Sequence, residues 1–187
     1  QPLDEERSFN ASAGVTAELL SGLDLSVDLF RIGVDDRITL SEFLQDDGSG
    51  ETSLQDLIRD LPGGENVESV AFFTNAVDTR TRGVEAVLTY NRPLGVGVLN
   101  GTAAYSFAET EITAIDAPPA ELQAINPALT LVGVEEVNTI ETATPEHKFT
   151  ATANYAVGDW RWLGRVRHFG SAERVFSFAR QKFSPET

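Results

Sequence analysis

Side chains that commonly carry catalysis or hold metal ions are scarce in this sequence. It has no cysteine, which excludes a disulfide framework, a thiolate zinc site and a cysteine nucleophile. The two histidines are His147 and His168, and neither lies within a zinc-ligand spacing. No nucleophile and base can be paired from the sequence. We therefore predict a protein that is not an enzyme and that has no metal site and no cofactor.

Two short motifs have the composition of a ligand-binding loop. Asp46–Glu51, with the sequence DDGSGE, supplies the hard oxygen ligands that calcium prefers, although their order differs from the twelve-residue calcium loop. We favour an ordinary charged surface loop and leave calcium binding open. Gly95–Gly101 has the glycines of a nucleotide loop, but strand-like alternation follows it where a phosphate site needs a helix N-terminus. We therefore reject a nucleotide site.

The charge balance excludes another class of partner. The chain has 14 Lys and Arg against 29 Asp and Glu, which gives a net charge of −15. A surface of that sign repels phosphate backbones, so we expect no nucleic-acid partner. No apolar run approaches the roughly 18 residues of a membrane helix. The protein is therefore either soluble or meets a membrane through strands.

The dominant pattern is an alternation of apolar and polar residues with a period of two. In Phe9–Leu19 the odd positions are apolar, which predicts a strand with two different faces. Leu23–Leu29 continues the pattern after the tight turn Ser21–Gly22, so the two segments form a hairpin. In Phe30–Val34 the apolar parity is reversed. This reversal predicts either a bulge near Leu29 or a strand that has left its apolar environment.

Later strands are separated by connections that alternate in length. Tight turns and long polar stretches follow one another along the whole chain, which predicts three hairpins joined by long loops. Short helical patterns lie within the long loops. The sequence predicts one strand at about Val70–Asn91, with further strands before and after it. The tight connections are at Arg92–Gly97 and Val157–Asp159, and the long ones are at 41–69 and 113–145. The short helices are predicted at Ser53–Leu61 and Ala120–Ile125.

Alternating turn lengths are typical of a transmembrane β-barrel, where short turns are periplasmic and long loops are external. Each strand also has the roughly 9–11 residues needed to cross the hydrocarbon. Tyr90, Tyr155, Trp160 and Trp162 lie close to the short turns, as in an interfacial aromatic girdle. We therefore predict an all-β fold, an antiparallel meander of about six strands from a large transmembrane β-barrel, with short helices in the long outer loops.

Three stretches of the chain resemble the barrel of TonB-dependent outer-membrane receptors. They are LSVDLFRIGVDDRI at Leu25–Ile38, FTNAVDTRTRGVE at Phe73–Glu85, which is the most specific, and ATPEHKF at Ala143–Phe149. The resemblance implies that residues 1–187 are part of the C-terminal half of such a barrel. Family members have a plug domain, a TonB box and about 22 strands. We therefore expect a partial barrel that lacks the plug domain and the final barrel strands.

The resemblance also implies a function and partners. Such a receptor, in the cell outer membrane, takes up a scarce ligand (siderophore, vitamin or carbohydrate) into the periplasm, and TonB acts through the plug region, which we do not expect within these residues. The expected partners of the wall are outer-membrane lipid and lipopolysaccharide, while the small-molecule ligand stays unknown. A six-stranded piece alone has two unpaired edges and an apolar face, so we expect the isolated fragment to self-associate.

Parity within the strands separates candidate lumen residues from lipid-facing ones. Arg80 and Arg82 share the parity of the lipid-facing Val84, so near the outer leaflet they would meet lipopolysaccharide phosphates or pair across strands. Residues of the other parity would face the lumen, either in contact with a ligand or, as the alternative interpretation, only with water. The candidates to line the lumen and contact a ligand are Glu85, Asn100, Thr102, Arg161, Arg165 and Arg167.

A second fold stays open at this point. In a soluble or surface-displayed all-β ligand-binding module, such as a sandwich, the apolar parity would pack a core and the loops would bind the ligand. Small Ala and Gly residues on the apolar parity, and aromatic residues at one end only, favour lipid contact over a sandwich core.

Overall fold

Six long antiparallel strands form one sheet in the computed structural model, which describes residues 3–45, 56, 69–124, 127 and 129–175. The strands follow one another across the sheet in chain order, with a two-stranded ribbon inserted between the second and third of them. Within these ranges no helix has the length and apolarity required to cross a membrane. The elements are β1 (Arg7–Leu20), β2 (Leu23–Leu40), β3 (Leu44–Gln45), β4 (Ser69–Val70), β5 (Phe73–Leu94), β6 (Gly97–Ile115), α1 (Ala120–Gln123), α2 (Val134–Glu141), β7 (His147–Val157) and β8 (Trp160–Phe169).

Tight turns join the strands of each hairpin at one end of the sheet, which we call the turn end. Each turn contains a glycine in the left-handed region, with φ of 73° at Gly22, 59° at Gly95 and 52° at Gly158. Glycine adopts this conformation without the steric cost of a Cβ. The long connections after β2 and β6 lie at the opposite end, the loop end. The predicted meander with alternating connections is therefore confirmed.

Cross-strand partners share one face of a sheet, so the register sorts the strand residues into two faces. The apolar face contains the row Val15, Val27, Ala86, Tyr105, Phe149 and His168. The polar face contains the row Glu18, Asp24, Thr89, Thr102, Thr152 and Arg165.

The apolar face is open to its surroundings. Phe9 is 71% exposed, Val15 66% and Val166 63%, although a sandwich core would bury such side chains. On β6, apolar or small residues occupy this face from Leu99 to Phe107, a stretch that matches the roughly 9–11 residues of a transmembrane strand. The exposed apolar face therefore favours lipid contact over the sandwich.

Strand pairing runs without interruption through Leu29, so the structure excludes a bulge there, which was one of the two interpretations of the reversed parity. The register shifts between β2 and β5 lie later, between Val34 and Ile38, where Asp36 has a φ of 56°. Phe30 stays in regular strand and lies opposite Gly83 on the polar-face side. The reversed parity therefore comes from apolar side chains placed on the polar face, not from an inserted residue.

A small buried core lies at the loop end, away from the centre of the sheet. Ala76, Val77, Leu131 and Val132 are its buried members, and α2 packs on it through Val137 and Ile140. Through this core, the connection after β6 packs against β5 and β6 at the loop end.

Other boundaries differ from the sequence prediction in detail. β5 begins at Phe73, because Ser69–Val70 belongs to a separate ribbon. The helix predicted from Ala120 is present as α1, whereas α2 was not predicted. The predicted helix Ser53–Leu61 lies outside the described residues except for Asp56, which is helical, and the DDGSGE motif lies outside them entirely.

Candidate functional site

The polar face holds all six candidate lumen residues. The structure brings Thr102 and Arg165 into one cross-strand row through Thr152, whose Oγ1 accepts a hydrogen bond from Nε of Arg165 at 3.2 Å. The other four candidates lie in separate rows. Glu85 is on β5, Asn100 and Thr102 are on β6, and Arg161, Arg165 and Arg167 are on β8, all of them exposed.

An asparagine row lies beside Thr102, one row nearer the turn end. Asn100 has Asn91 of β5 and Asn154 of β7 as its direct partners. Alternation within single strands predicts only Asn100 as a lumen residue, because the asparagine row is defined by the register between strands. Amide side chains both donate and accept hydrogen bonds, so this row offers a neutral polar surface next to the charged one.

On the polar face, opposite charges lie on opposite halves of the sheet. Carboxylates lie on β1, β2 and β5, and basic side chains lie on β7 and β8. The polar face of β6 lies between them and carries hydroxyl, amide and methyl groups from Asn100 to Ala108. Four strand spacings of about 4.8 Å separate β2 from β8, or roughly 20 Å. The acidic residues are Glu18, Asp24, Asp28 and Glu85, and the basic ones are Lys148, Arg161, Arg165 and Arg167.

The connection after β6 folds back over the polar-face side of the loop end. Ile112, which pairs with Thr79, donates its backbone N–H to Oε1 of Glu141 in α2 at 2.8 Å. Thr39 of β2 donates its hydroxyl to Glu136, also in α2. These contacts fix α2 on the side of the sheet that carries the candidate lumen residues.

A cavity of about 750 Å³ opens at the loop end between β2, β5 and the chain around α1. Its lining combines the carboxylates of Asp4, Asp36, Asp116 and Glu121 with apolar side chains that include Phe73 and Leu131. A pocket of this composition suits a ligand that carries both cationic and apolar groups.

A cluster of aromatic side chains lies on the apolar face next to the tight turns. Trp162 stacks on Tyr155 at 6.0 Å between ring centroids and on Trp160 at 6.3 Å. The hydroxyl of Tyr155 donates to the carbonyl oxygen of Leu94 at 2.9 Å, in the neighbouring turn. Rings with one apolar and one hydrogen-bonding end are typical of a membrane interface.

Arginines lie on the apolar face at its opposite limit, towards the loop end. Arg82 is paired across the strands, with Nη2 at 2.9 Å from Oε2 of Glu109 and 3.3 Å from Oε1 of Glu111. For Arg82 the structure therefore shows the cross-strand pairing that the sequence left as one of two interpretations.

Comparison with known proteins agrees with these features. The family model described as TonB dependent receptor-like, beta-barrel matches residues 1–184. No curated protein matches the chain. Among the residues that the structure describes, no group of three or more His, Asp and Glu side chains could hold a metal ion. The matched family consists of receptors and transporters of the Gram-negative outer membrane, embedded in lipid and coupled to TonB, and it is not a family of enzymes. The chain belongs to the TonB-dependent receptor β-barrel family.

Proposed function

We propose that this chain forms part of the barrel wall of a receptor that takes up a scarce ligand into the periplasm. The observation that carries the proposal is the continuous register of six strands with one open apolar face and one polar face. In lipid every backbone donor and acceptor needs a partner within the protein, so strands cross only as part of a closed barrel. In the described residues β1 and β8 each pair on one side only. Further strands of the complete receptor would close the barrel.

In this proposal the apolar face meets outer-membrane lipid and the polar face lines the lumen. Glu85, Asn100, Thr102, Arg161, Arg165 and Arg167 would then border the passage, where a ligand meets carboxylates on one side and guanidinium groups on the other. The loop end would face outwards, because long loops of such barrels are external. Its acidic cavity would be an early contact for the ligand.

TonB would act through a plug domain of the complete receptor, in keeping with the family to which the chain belongs. The ligand would be a siderophore, a vitamin or a carbohydrate. Lipopolysaccharide would be the outer-leaflet neighbour of the apolar face.

Deletion of the whole receptor gene tests this function directly. Uptake of a representative siderophore, vitamin and carbohydrate is measured in the deletion strain, in the complemented strain, and in the complemented strain without TonB. We expect uptake of one ligand class to be lost, restored by the gene and lost again without TonB. Unchanged uptake of all three classes, with the receptor absent from the outer-membrane fraction of the complemented strain, would contradict the proposal.

A further inference from the structure

Arg31 and Arg80, next to Arg82 on the apolar face, have no ionic partner among the described residues. Glu111 lies opposite Arg80 in the register, yet its carboxylate pairs with Arg82 at 3.3 Å. Arg31 lies directly opposite Arg82, so two like charges face each other across neighbouring strands. Neither Arg31 nor Arg80 makes a hydrogen bond or ion pair in the part of the chain described. Directly opposed like charges destabilise a sheet unless an anion lies between them.

Gly33 leaves open space at the centre of this group. It follows Arg31 on the same face of β2 and lies opposite Arg80 of β5. A Cβ built on Gly33 would meet no atom within 4 Å. Gly33 therefore forms a notch whose floor is backbone, with Arg31, Arg80 and Arg82 along β2 and β5 and Phe9 opposite on β1.

On the apolar face, β2 and β5 repeat the same order of side chains from the middle of the sheet towards the loop end. Apolar residues come first, arginines next and aspartates last, so positive charge lies against the edge of the apolar band. Anionic headgroups of a lipid lie at that level, at the boundary of the hydrocarbon. The order is Leu29, Arg31, Gly33 and Asp35 on β2, and Val84, Arg82, Arg80 and Asp78 on β5.

We propose that Arg31, Arg80 and the backbone at Gly33 form a binding site for a phosphate group of outer-leaflet lipopolysaccharide, with Arg82 at its side. The proposal rests on the barrel-wall function above and adds a defined site to it. Guanidinium groups bind phosphate in a bidentate manner, so Arg31 and Arg80 can each offer a planar pair of donors to a phosphate at the notch. Glu109 and Glu111 together exceed the charge of Arg82 by one, so the unpaired Arg31 and Arg80 leave these five side chains with a net charge of +1.

The test uses the complete receptor, purified from outer membranes in mild detergent, with bound lipopolysaccharide counted per receptor by mass spectrometry. One variant combines R31Q with R80Q, and a second, G33L, fills the notch without changing charge. The matched control is R92Q, on the apolar face of β5 but at the turn end. Loss of one charge-assisted contact weakens binding roughly tenfold. We expect at least that loss in both test variants and none in the control.

Rebinding of purified lipopolysaccharide to the delipidated receptor identifies what the site recognises. We expect rebinding by the phosphorylated form, no rebinding by the dephosphorylated form, and no displacement by excess inorganic phosphate. Equal retention by the R31Q/R80Q variant and the wild type would overturn the site, and displacement by inorganic phosphate would do the same. Membrane fractionation is scored separately, so absence of the receptor from the outer membrane would contradict the barrel-wall function instead.

Discussion

The ring of Phe30 covers Gly83 on the polar face. A Cβ added to Gly83 would lie 2.4 Å from Cζ of Phe30 and 2.4 Å from the carbonyl oxygen of Phe107. The carbonyl oxygen of Phe107 belongs to the backbone, so its displacement would cost more free energy than that of a flexible side chain. An apolar ring therefore occupies a polar surface because the partner strand provides a residue without a side chain.

Replacement of Gly83 by valine should destabilise the barrel. Overpacking of this kind costs about 1–3 kcal/mol, so we expect G83V to unfold at a lower temperature in a gel assay of heat-dependent mobility. The matched control is G164V on β8, where an added Cβ meets nothing within 4 Å. Equal unfolding temperatures for the two variants would contradict the close contact.

Two turn glycines should respond differently to the same substitution. Gly22 and Gly158 both have positive φ, 73° and 52°, so alanine strains both by about 1–2 kcal/mol. At Gly22 a Cβ would also lie 2.4 Å from the carbonyl oxygen of Asn91, whereas at Gly158 it meets nothing within 4 Å. We expect G22A to lower the unfolding temperature more than G158A. The reverse order would refute the contact with β5.

Glu141 should control how firmly α2 is held on the sheet. It accepts the backbone N–H of Ile112, and E141A leaves that donor without its partner. Since a hydrogen bond to a charged group contributes about 1.5–3 kcal/mol, amide hydrogen exchange at residues 134–141 should accelerate roughly tenfold or more. T139A, at an exposed position of the same helix, is the control. Identical exchange in the two variants would count against this anchor.

The chain on its own should not remain monomeric in water. In the described residues β1 and β8 leave open edges, and the apolar face exposes residues such as Phe9 and Val15. Exposed strand edges and apolar patches promote association. We expect sedimentation velocity without detergent to show oligomers, and detergent to disperse them. A single monomeric species without detergent would be the contrary result.

The sequence was sufficient to predict the sheet because alternation and turn chemistry are local. Val15 and Gly22 belong to patterns that can be recognised within a few residues. Contacts set by register could not be predicted in this way. The position of Glu111 beside Arg82 and that of Gly33 beside Arg80 depend on how two distant strands align. α2 was not predicted because its sequence has only a weak helical pattern. Tertiary contacts, such as that of Glu141 with Ile112, stabilise this short helix.

Two adjacent residues of β6 that face opposite environments provide the sharpest test of a membrane-spanning wall. Thr102 lies on the polar face and Ala103 on the apolar face of β6, and the chain has no cysteine of its own. Each is replaced by cysteine in the complete receptor in outer membranes, with Thr152 and Ala151 of β7 as a second pair. We expect a water-soluble maleimide to label positions 102 and 152, and a lipid-dissolved quencher to reach labels only at 103 and 151. Equal reaction of both members of each pair with the water-soluble reagent would contradict a membrane-spanning wall.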